Sequence, residues 1–308
     1  MNKISEPQCK IRNVKQSRER ILIVDPIHEY AIKELRKTYD VHYQHQPPTN
    51  ELYDLIKDAS VVVLRSGIQL PAQLIQAGQR LKIIARAGNG VDNIDLDVAA
   101  EKRIMVFNVP DTSVISVAEH TMGLILSLAR HIPLADRQLR NNQWMKEDLV
   151  GTELHQKTLG IVGLGKIGKQ VAIRARAFDM RVLANVAHYS EERCRDEEKE
   201  GVTLTGFNNL LEQSDYISLH CPLAKATSNL FEKEQFRRMK SSAYLINMAR
   251  GGVVNELDLL QAIKSSEIKG AASDVFSKEG EYSRLLDLDN MIGTPHIGAM
   301  TAEAQFTI

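Results

Sequence analysis

The sequence predicts an α/β protein built from two doubly wound parallel-sheet domains. Its 308 residues exceed the usual size of one domain. From residue 20 onward, short apolar and β-branched runs alternate with amphipathic segments of helical period. The runs are apolar throughout rather than at every second position. We therefore expect strands that are buried on both faces, as in a parallel sheet covered by helices.

Two successive series of apolar runs are predicted to be the strands of the two domains. The first series comprises residues 20–27, 61–66, 81–88 and 104–110. The second series comprises residues 157–165, 181–186, 216–222, 243–249, 270–276 and 290–298. Between the series, residues 111–132 predict a long buried connecting helix with Ser113 or Ser116 as its N-cap. A charge run at 191–201 predicts the exposed face of another helix.

The composition excludes several classes of partner. Lysine plus arginine and aspartate plus glutamate number 39 each, so the chain lacks the basic excess that a nucleic-acid binder needs. No run approaches the roughly 20 apolar residues that span a bilayer, so no membrane partner is expected. Residues 1–19 predict a flexible arm rather than a targeting segment.

The cysteines indicate a reducing compartment. Cys9, Cys194 and Cys221 are odd in number, far apart and without a CxxC pair. This pattern argues against a disulfide framework and against a zinc site, and we expect no metal. A cytoplasmic location is predicted.

The segment TLGIVGLGKIGKQVAI is predicted to bind a dinucleotide. It places Gly163, Gly165 and Gly168 between a strand and a helix, with another strand following. The first glycine permits a tight turn, the second lets the backbone approach a pyrophosphate, and the third lets the helix pack on the strand. The amides of Lys166 and Ile167 are then expected to bind the phosphates at the positive end of the helix dipole.

The choice between NAD and NADP stays open from the sequence. Dinucleotide sites for NAD carry an acidic residue about 20 positions beyond the glycines, where it binds the adenosine ribose. Here the corresponding strand ends in Val186, which removes a charge that would repel a 2′-phosphate. His188 and Arg193 follow closely enough to help bind such a phosphate. Ordinary NAD use with relaxed cofactor choice is the alternative.

Three further segments, NMARGGVVNE, GAASDVFSKEG and TPHIGAMTAEAQ, accompany the last three predicted strands. Together with the glycine motif they resemble the D-2-hydroxyacid dehydrogenases. The first half of the chain, through ARAGNGVDNIDL and FNVPDTSVISVAEHTMGLILSLAR, is most similar to the phosphoglycerate dehydrogenases of that family. The resemblance implies a flavodoxin-like substrate domain over 1–112, to which 297–308 returns. It also implies a Rossmann dinucleotide-binding domain over 113–296.

The resemblance implies a catalytic set of Arg250, Glu279 and His296. A guanidinium at 250 would hold a 2-oxo acid and polarise its carbonyl, and an imidazole at 296 would exchange a proton with the substrate hydroxyl. A carboxylate at 279 would orient that imidazole and favour its protonated form. The family has proline after this glutamate, whereas this chain has Gly280, so the sequence departs from the family pattern at this position.

The resemblance also implies several cofactor contacts. Asp274 matches a residue that hydrogen-bonds the nicotinamide carboxamide. Further positions that match cofactor contacts, on the adenosine side or near the nicotinamide ring, are Cys221, Pro222, Met248, Ala249, Asn89 and Gly298. Ordinary packing in the core remains the alternative role for Cys221, Met248 and Ala249.

Substrate recognition is expected in the first domain. The backbone of the turn formed by Ala87, Gly88, Asn89 and Gly90 matches the segment that receives the substrate carboxylate, where glycine permits close approach. Arg65 and Arg86 match the positions that bind a 3-phosphate in phosphoglycerate dehydrogenases. Two converging arginines suit a dianion. The hypothesis is therefore interconversion of D-3-phosphoglycerate and 3-phosphohydroxypyruvate, coupled to a nicotinamide cofactor.

Alternative functions are kept beside this one. A glyoxylate or hydroxypyruvate reductase, or another dehydrogenase of a specialised pathway, is consistent with departures from the family pattern at Val186, Gly280 and Met300. A nucleotide-sensing protein similar to the co-repressors that resemble this family is a further alternative. A homodimer is implied through residues 111–150, whose helix is too apolar to be left exposed.

The chain ends at AEAQFTI, where related enzymes generally continue their last helix. Either the final helix is unusually short or the chain is truncated. We expect no serine-sensing regulatory domain in the sequence as it stands.

Overall fold

A computed structural model describes residues 18–307 and divides the chain into two compact units, Met1–Val109 and Pro110–Ile308. The predicted arm over 1–19 and Cys9 lie almost entirely outside the described residues. The division falls close to the predicted boundary at 112. It groups the C-terminal segment with the second unit, so its return to the first domain stays a prediction.

The first unit is a five-stranded parallel sheet in the order β2-β1-β3-β4-β5. Its strands are β1 Arg20–Ile23, β2 Asp40–Tyr43, β3 Val61–Leu64, β4 Ile83–Arg86 and β5 Met105–Asn108. Its helices are α1 Glu29–Thr38, α2 Thr49–Lys57, α3 Ala72–Ala77 and α4 Leu96–Glu101. This strand order is that of flavodoxin, as expected.

The second unit is a seven-stranded parallel sheet in the order β12-β11-β10-β9-β6-β7-β8. Its strands are β6 Thr158–Val162, β7 Arg181–Asn185, β8 Val202–Leu204, β9 Tyr216–Leu219, β10 Tyr244–Asn247, β11 Gly270–Ser273 and β12 Met291–Gly293. The chain reverses its direction of winding at β6, as in a Rossmann sheet. The predicted Rossmann fold is confirmed.

The helices of the second unit precede, connect and follow these strands. They are α5 Val114–Ala129, α6 Ile132–Arg140, α7 Lys166–Ala177, α8 Glu191–Lys199, α9 Phe207–Gln213, α10 Lys233–Arg238, α11 Glu256–Lys264 and α12 Ala302–Thr307. Short 3₁₀ turns occur at Lys146–Leu149, Gly251–Val253 and Arg284–Asp287. No helix within the described residues is both long and apolar enough to cross a bilayer.

The two faces of the second sheet each bury a separate apolar cluster, which explains its continuously apolar strands. Leu159 and Ile161 of β6 point into the cluster shared with α5 and α7. Val162 points into the opposite cluster, which α9 and α11 cover. Because successive side chains of a strand alternate between faces, a strand buried on both sides has no polar positions to alternate with.

Most predicted elements are confirmed, and the two strands that were missed lie at sheet edges. Each predicted apolar run contains one observed strand. β2 and β8 were not predicted, because an edge strand needs fewer apolar residues: β2 is largely exposed and β8 spans only three residues. The connecting helix α5 is confirmed with Ser113 at its N-cap position, although that side chain forms no capping bond.

Candidate active site

The candidate catalytic residues follow three neighbouring strands of the second sheet. β10, β11 and β12 are aligned in register, with Asn247 beside Ser273 and Ser273 beside Gly293. Asp274 directly follows β11, and Arg250 and His296 follow the other two strands closely. The carboxyl ends of parallel strands form one edge of a sheet, which is where ligands of doubly wound folds bind.

The loop that carries Arg250 is shaped by a buried asparagine. The side chain of Asn247 accepts from the amide of Ala249 at 3.0 Å and donates to the carbonyl of Arg250 at 3.0 Å. The guanidinium of Arg250 in turn donates to the carbonyl of Ala249 at 2.7 Å. A Cβ atom at Gly251 would lie 2.1 Å from the carbonyl carbon of Phe276. This glycine therefore lets the loop pack directly on the segment before Glu279.

The structure brings Glu279 and His296 together. Glu279 Oε1 lies 2.8 Å from His296 Nδ1, a contact that has the length of an ion pair but is not aligned as a hydrogen bond. Gly280 has φ +87°, a backbone conformation that proline, with φ fixed near −65°, does not adopt. The departure from the family pattern is thus a differently shaped turn that still delivers the glutamate to the histidine.

The backbone of His296 is held in a left-handed conformation. Its φ of +53° costs a non-glycine residue about 1–2 kcal/mol unless the surroundings impose it. The amide of His296 donates to the carbonyl of Asp274 at 2.8 Å, and the amides of Ile297 and Gly298 donate to the Asp274 carboxylate, each at 2.8 Å. Asp274 therefore binds three successive amides of the histidine turn.

Asp274 was predicted to bind the carboxamide of nicotinamide. In the structure this buried carboxylate is hydrogen-bonded to groups of the protein. Its Oδ1 accepts from the Thr294 hydroxyl and the Ile297 amide, and its Oδ2 accepts from the Gly298 amide. A carboxylate offers about four lone-pair sites, so Oδ2 retains capacity for one further donor. The predicted contact to the cofactor remains compatible with this arrangement and stays a prediction.

The three glycines of the dinucleotide motif have different surroundings. Gly163 has φ +97°, and a Cβ there would lie 2.8 Å from the amide nitrogen of Cys221. A Cβ at Gly168 would lie 2.4 Å from the carbonyl oxygen of Gly163. A Cβ at Gly165 would meet no protein atom within 4 Å. Two of the glycines are thus required by packing, and the third borders open space.

The start of α7 is suited to hold a pyrophosphate. Its N-cap, Gly165, provides no side-chain bond to the first-turn amides, which include those of Lys166 and Ile167. Ile167 packs on the core. The ammonium of Lys166 forms an ion pair with Asp111, which precedes α5. Open space at Gly165 and uncapped amides beside it fit the dinucleotide that the motif predicts.

The segment after β7 contains the residues on which the choice between NAD and NADP was argued. Val186 packs partly buried against the core, and no carboxylate replaces it at this position. The Arg193 guanidinium donates to the carbonyl of His188 at 3.1 Å and to that of Leu164, within the glycine motif, at 3.2 Å. Glu197 Oε1 lies 3.9 Å from Arg193 Nε and also pairs with Lys169 Nζ at 2.8 Å.

The loop after β9 packs against the glycine motif. The ring Nε2 of His220 lies 2.8 Å from Ser218 Oγ, and burial lowers the pKa of His220 to about 3. Cys221 is buried, which raises the pKa of its thiol, whereas Pro222 is exposed. Met248 and Ala249 are buried in opposite core clusters of the sheet. Packing therefore accounts for Cys221, Met248 and Ala249 as well as a cofactor role would.

Arg65 and Arg86 lie at the carboxyl ends of adjacent strands in the first unit. Leu64 of β3 is aligned with Arg86 of β4, so Arg65 directly follows that pair. The Arg65 amide donates to Asp25 Oδ2 at 2.6 Å. Burial lowers the pKa of the Arg65 guanidinium, and the negative charge of Asp25 opposes this shift. The predicted proximity in the sheet is observed, and the phosphate role stays a prediction.

The turn after β4 is partly committed to the protein. The amide of Ala87 donates to the carbonyl of Leu64 at 2.8 Å, and the amide of Gly88 donates to the backbone carbonyl of Arg86 at 2.9 Å. Gly88 has φ +148°, and a Cβ there would lie 1.6 Å from Arg86 Nη1. Among the four amides of this turn, all within the described residues, those of Asn89 and Gly90 have no protein acceptor. The predicted carboxylate cradle is therefore narrowed to these two amides.

Sequence reasoning missed three polar residues that support the site. Asn247 shapes the Arg250 loop, while Thr294 and His120 contact Asp274. Thr294 is the first residue of the TPH motif, and a polar residue at a strand end is a signal that could have been used. His120 lies within a helix that is mostly apolar, where a lone histidine gives no sign of its partner.

The chain is similar to known proteins over most of its length. Residues 122–298 match the family model described as D-isomer specific 2-hydroxyacid dehydrogenase, NAD binding domain. A D-3-phosphoglycerate dehydrogenase of Methanocaldococcus jannaschii is 46% identical over 93% of this chain and 54% of its own length. A hydroxypyruvate reductase of Thermotoga maritima is 41% identical over 94% of each chain.

The fold has a matching solved structure. D-lactate dehydrogenase from Aquifex aeolicus, complexed with NAD and lactic acid, has a TM-score of 0.83 and 30% identity. The match covers 94% of this chain and 91% of that one. The chain spans about half the length of the phosphoglycerate dehydrogenase relatives it matches.

Replacing Gly165 by alanine is expected to weaken dinucleotide binding without unfolding the protein. The new methyl group meets no protein atom but would occupy the space beside the uncapped amides, so the dissociation constant should rise at least tenfold. The measurement is quenching of NADH and NADPH fluorescence, with the thermal midpoint recorded in parallel. Gly123→Ala in α5, where a Cβ also meets nothing within 4 Å, is the matched control. Unchanged affinity in Gly165→Ala would contradict the predicted phosphate site.

Proposed function

The chain belongs to the D-isomer specific 2-hydroxyacid dehydrogenase family, and we propose that it oxidises D-2-hydroxy acids or reduces the matching 2-oxo acids with a nicotinamide cofactor. The observation that carries this proposal is the Glu279 carboxylate at 2.8 Å from His296 Nδ1, at the sheet edge that also bears Arg250. A histidine paired in this way suits a proton exchange at a substrate hydroxyl.

His296, Glu279 and Arg250 have different roles in the proposed reaction. When bound, the nicotinamide cofactor supplies or accepts the hydride at C2 of the substrate. Because Glu279 occupies the Nδ1 side of His296, Nε2 is the nitrogen that exchanges the proton with the substrate oxygen. The guanidinium of Arg250 donates to the carboxylate and carbonyl oxygens, which orients the substrate and stabilises negative charge on the carbonyl oxygen.

The proposed substrate is D-3-phosphoglycerate, or 3-phosphohydroxypyruvate in the reverse direction. Two arginines at adjacent strand ends, Arg65 and Arg86, support recognition of a dianion. The glycine-containing turn that follows Arg86 supports binding of the carboxylate through the amides of Asn89 and Gly90. The high identity to phosphoglycerate dehydrogenases over most of this chain supports the same choice.

Hydroxypyruvate reduction is the second candidate. The Thermotoga maritima relative with that name is 41% identical to this chain over 94% of its length, which supports this candidate. The 2-oxo acid substrates of the two candidate functions, 3-phosphohydroxypyruvate and hydroxypyruvate, differ by one phosphate group on the same three-carbon skeleton. The role of Arg65 and Arg86 in binding that phosphate therefore distinguishes the two functions.

Either NAD or NADP is proposed as the cofactor. The missing carboxylate at Val186 and the guanidinium of Arg193 beside Leu164 favour tolerance of a 2′-phosphate. The negative charges of Glu191 and Glu192 in the first turn of α8 oppose it. We also propose a reducing, cytoplasmic location, since Cys194 and Cys221 are both free thiols.

A homodimer is proposed through the segment around α6. Large apolar side chains of this segment are exposed to solvent, with Trp144 at 80% and Val150 at 78%. The others are Ile132, Leu139 and Met145. Such a concentration of exposed apolar groups within one segment is typical of a surface that another protein covers.

Wild-type protein is expected to consume NADH or NADPH with 3-phosphohydroxypyruvate or hydroxypyruvate, followed by absorbance at 340 nm. His296→Gln should lower kcat by about 10²–10⁴-fold, because general acid and base catalysis contributes that much. Its affinity for the dinucleotide should stay unchanged. Tight dinucleotide binding without turnover of either acid by the wild type would instead support a sensing protein.

Arg86→Ala is expected to discriminate between the two substrates. Loss of a charge-assisted bond to phosphate should lower kcat/KM for 3-phosphohydroxypyruvate by about 10–100-fold, and that for hydroxypyruvate much less. Arg36→Ala on α1 is the matched control, since this arginine lies on an exposed helix. Equal losses on both substrates would argue against a phosphate role for Arg86.

The double variant Trp144→Ser and Val150→Ser is expected to reduce the solution mass from two chains to one at micromolar concentration. Two exposed apolar side chains would be lost from the proposed interface. Light scattering coupled to size exclusion provides the measurement, with Leu257→Ser on α11 as a control. A wild-type mass of one chain would refute the proposed dimer.

A further inference from the structure

A chain of three polar side chains connects α5 to the turn that carries His296. Thr294, directly after β12, donates its hydroxyl proton to Asp274 Oδ1 at 2.6 Å. The ring Nε2 of His120, within α5, lies 3.1 Å from the same hydroxyl oxygen and 3.5 Å from Asp274 Oδ1. Most of this contact is shielded from solvent, since the Asp274 side chain is 3% exposed and that of His120 is 22% exposed.

The hydrogen positions of this chain follow from counting donors. A hydroxyl has a single proton, and the carboxylate oxygen of Asp274 can only accept. The Thr294 proton is therefore used toward Asp274, so the His120 ring must donate from Nε2 to the hydroxyl oxygen. The His120 proton is thus directed to the Thr294 hydroxyl, and the Thr294 proton is directed to the carboxylate.

The carboxylate at the end of this chain needs that support. Burial raises the pKa of Asp274, but the nearby ring N–H of His120, the Thr294 hydroxyl and the amides of Ile297 and Gly298 outweigh burial and leave the pKa below its usual value. The ionised carboxylate of Asp274 accepts from the amides of Ile297 and Gly298. The backbone carbonyl of Asp274 accepts from the amide of His296. The left-handed backbone of His296 depends on these bonds.

We propose that His120 and Thr294 are positioning residues that act through Asp274 to hold the His296 imidazole against Glu279. Neither is expected to touch the substrate. The inference deepens the proposed function, because it assigns the orientation of the proton-exchanging histidine to α5 and the end of β12. Small displacements of such a group lower the rate of a reaction steeply, while binding is little affected.

Thr294 allows a matched pair of variants. Thr294→Val keeps the shape of the side chain but removes the hydroxyl, whereas Thr294→Ser keeps the hydroxyl. We expect Thr294→Val to lower kcat about tenfold, with KM and the dinucleotide dissociation constant within about twofold of wild type. Thr294→Ser should retain kcat within about twofold. Comparable losses in both variants, or full kcat in Thr294→Val, would overturn the proposal.

A second pair of variants, at His120, tests the proposal independently of Thr294. His120→Gln offers an amide nitrogen near the position of Nε2, and His120→Leu offers no donor. Rescue of kcat by glutamine but not by leucine is expected, with thermal midpoints recorded to separate unfolding from mispositioning. Equal kcat in the two variants contradicts a role for the donated hydrogen bond.

The position of the imidazole is also measurable without substrate. Long-range proton–nitrogen spectra of the free protein report the ring nitrogens of His296, assigned by the signals lost in His296→Gln. These signals should shift in Thr294→Val and in Glu279→Gln but not in Thr294→Ser. Unshifted signals in Thr294→Val would refute the positioning role. Absence of turnover by the wild type would instead refute the proposed function, and the spectra would still decide the inference.

Discussion

The alignment of β10, β11 and β12 as neighbouring parallel strands is the constraint on which the candidate active site depends. Each strand ends at the same edge of the sheet, so residues far apart in the chain become neighbours there without any long loop. The apolar clusters on both faces hold these strands in place, because their side chains are packed closely against the covering helices. Packing in the core thereby sets the geometry of the polar edge.

The polar edge itself is held by buried side chains that bind backbone rather than ligand. Asn247 fixes the loop of Arg250, and Asp274 fixes the turn of His296. Both are buried at strand ends, where unpaired backbone amides and carbonyls would otherwise be costly. This division leaves Arg250 and His296 partly exposed at the edge while their backbone is rigid, an arrangement that preorganised sites require.

The fold was largely predictable from the chain alone, because its signal is the simplest one in the sequence. A strand covered on both faces must be apolar throughout, so the central strands stand out as runs such as 61–66 and 243–249. The edge strands β2 and β8 were not recognisable in this way, since a strand with one neighbour tolerates polar and exposed residues. Their existence follows from pairing, which is a property of the assembled sheet.

For the site, the sequence by itself determined which chemical groups are present: a glycine motif between strand and helix, and a guanidinium, a carboxylate and an imidazole after successive strands. The tertiary structure decided how they meet. Only the folded turn at Gly280 brings Glu279 to His296, and only packing of α5 on the sheet brings His120 to Thr294. Motifs record residues that are close along the chain, whereas hydrogen bonds between distant segments depend on a geometry that no local pattern encodes.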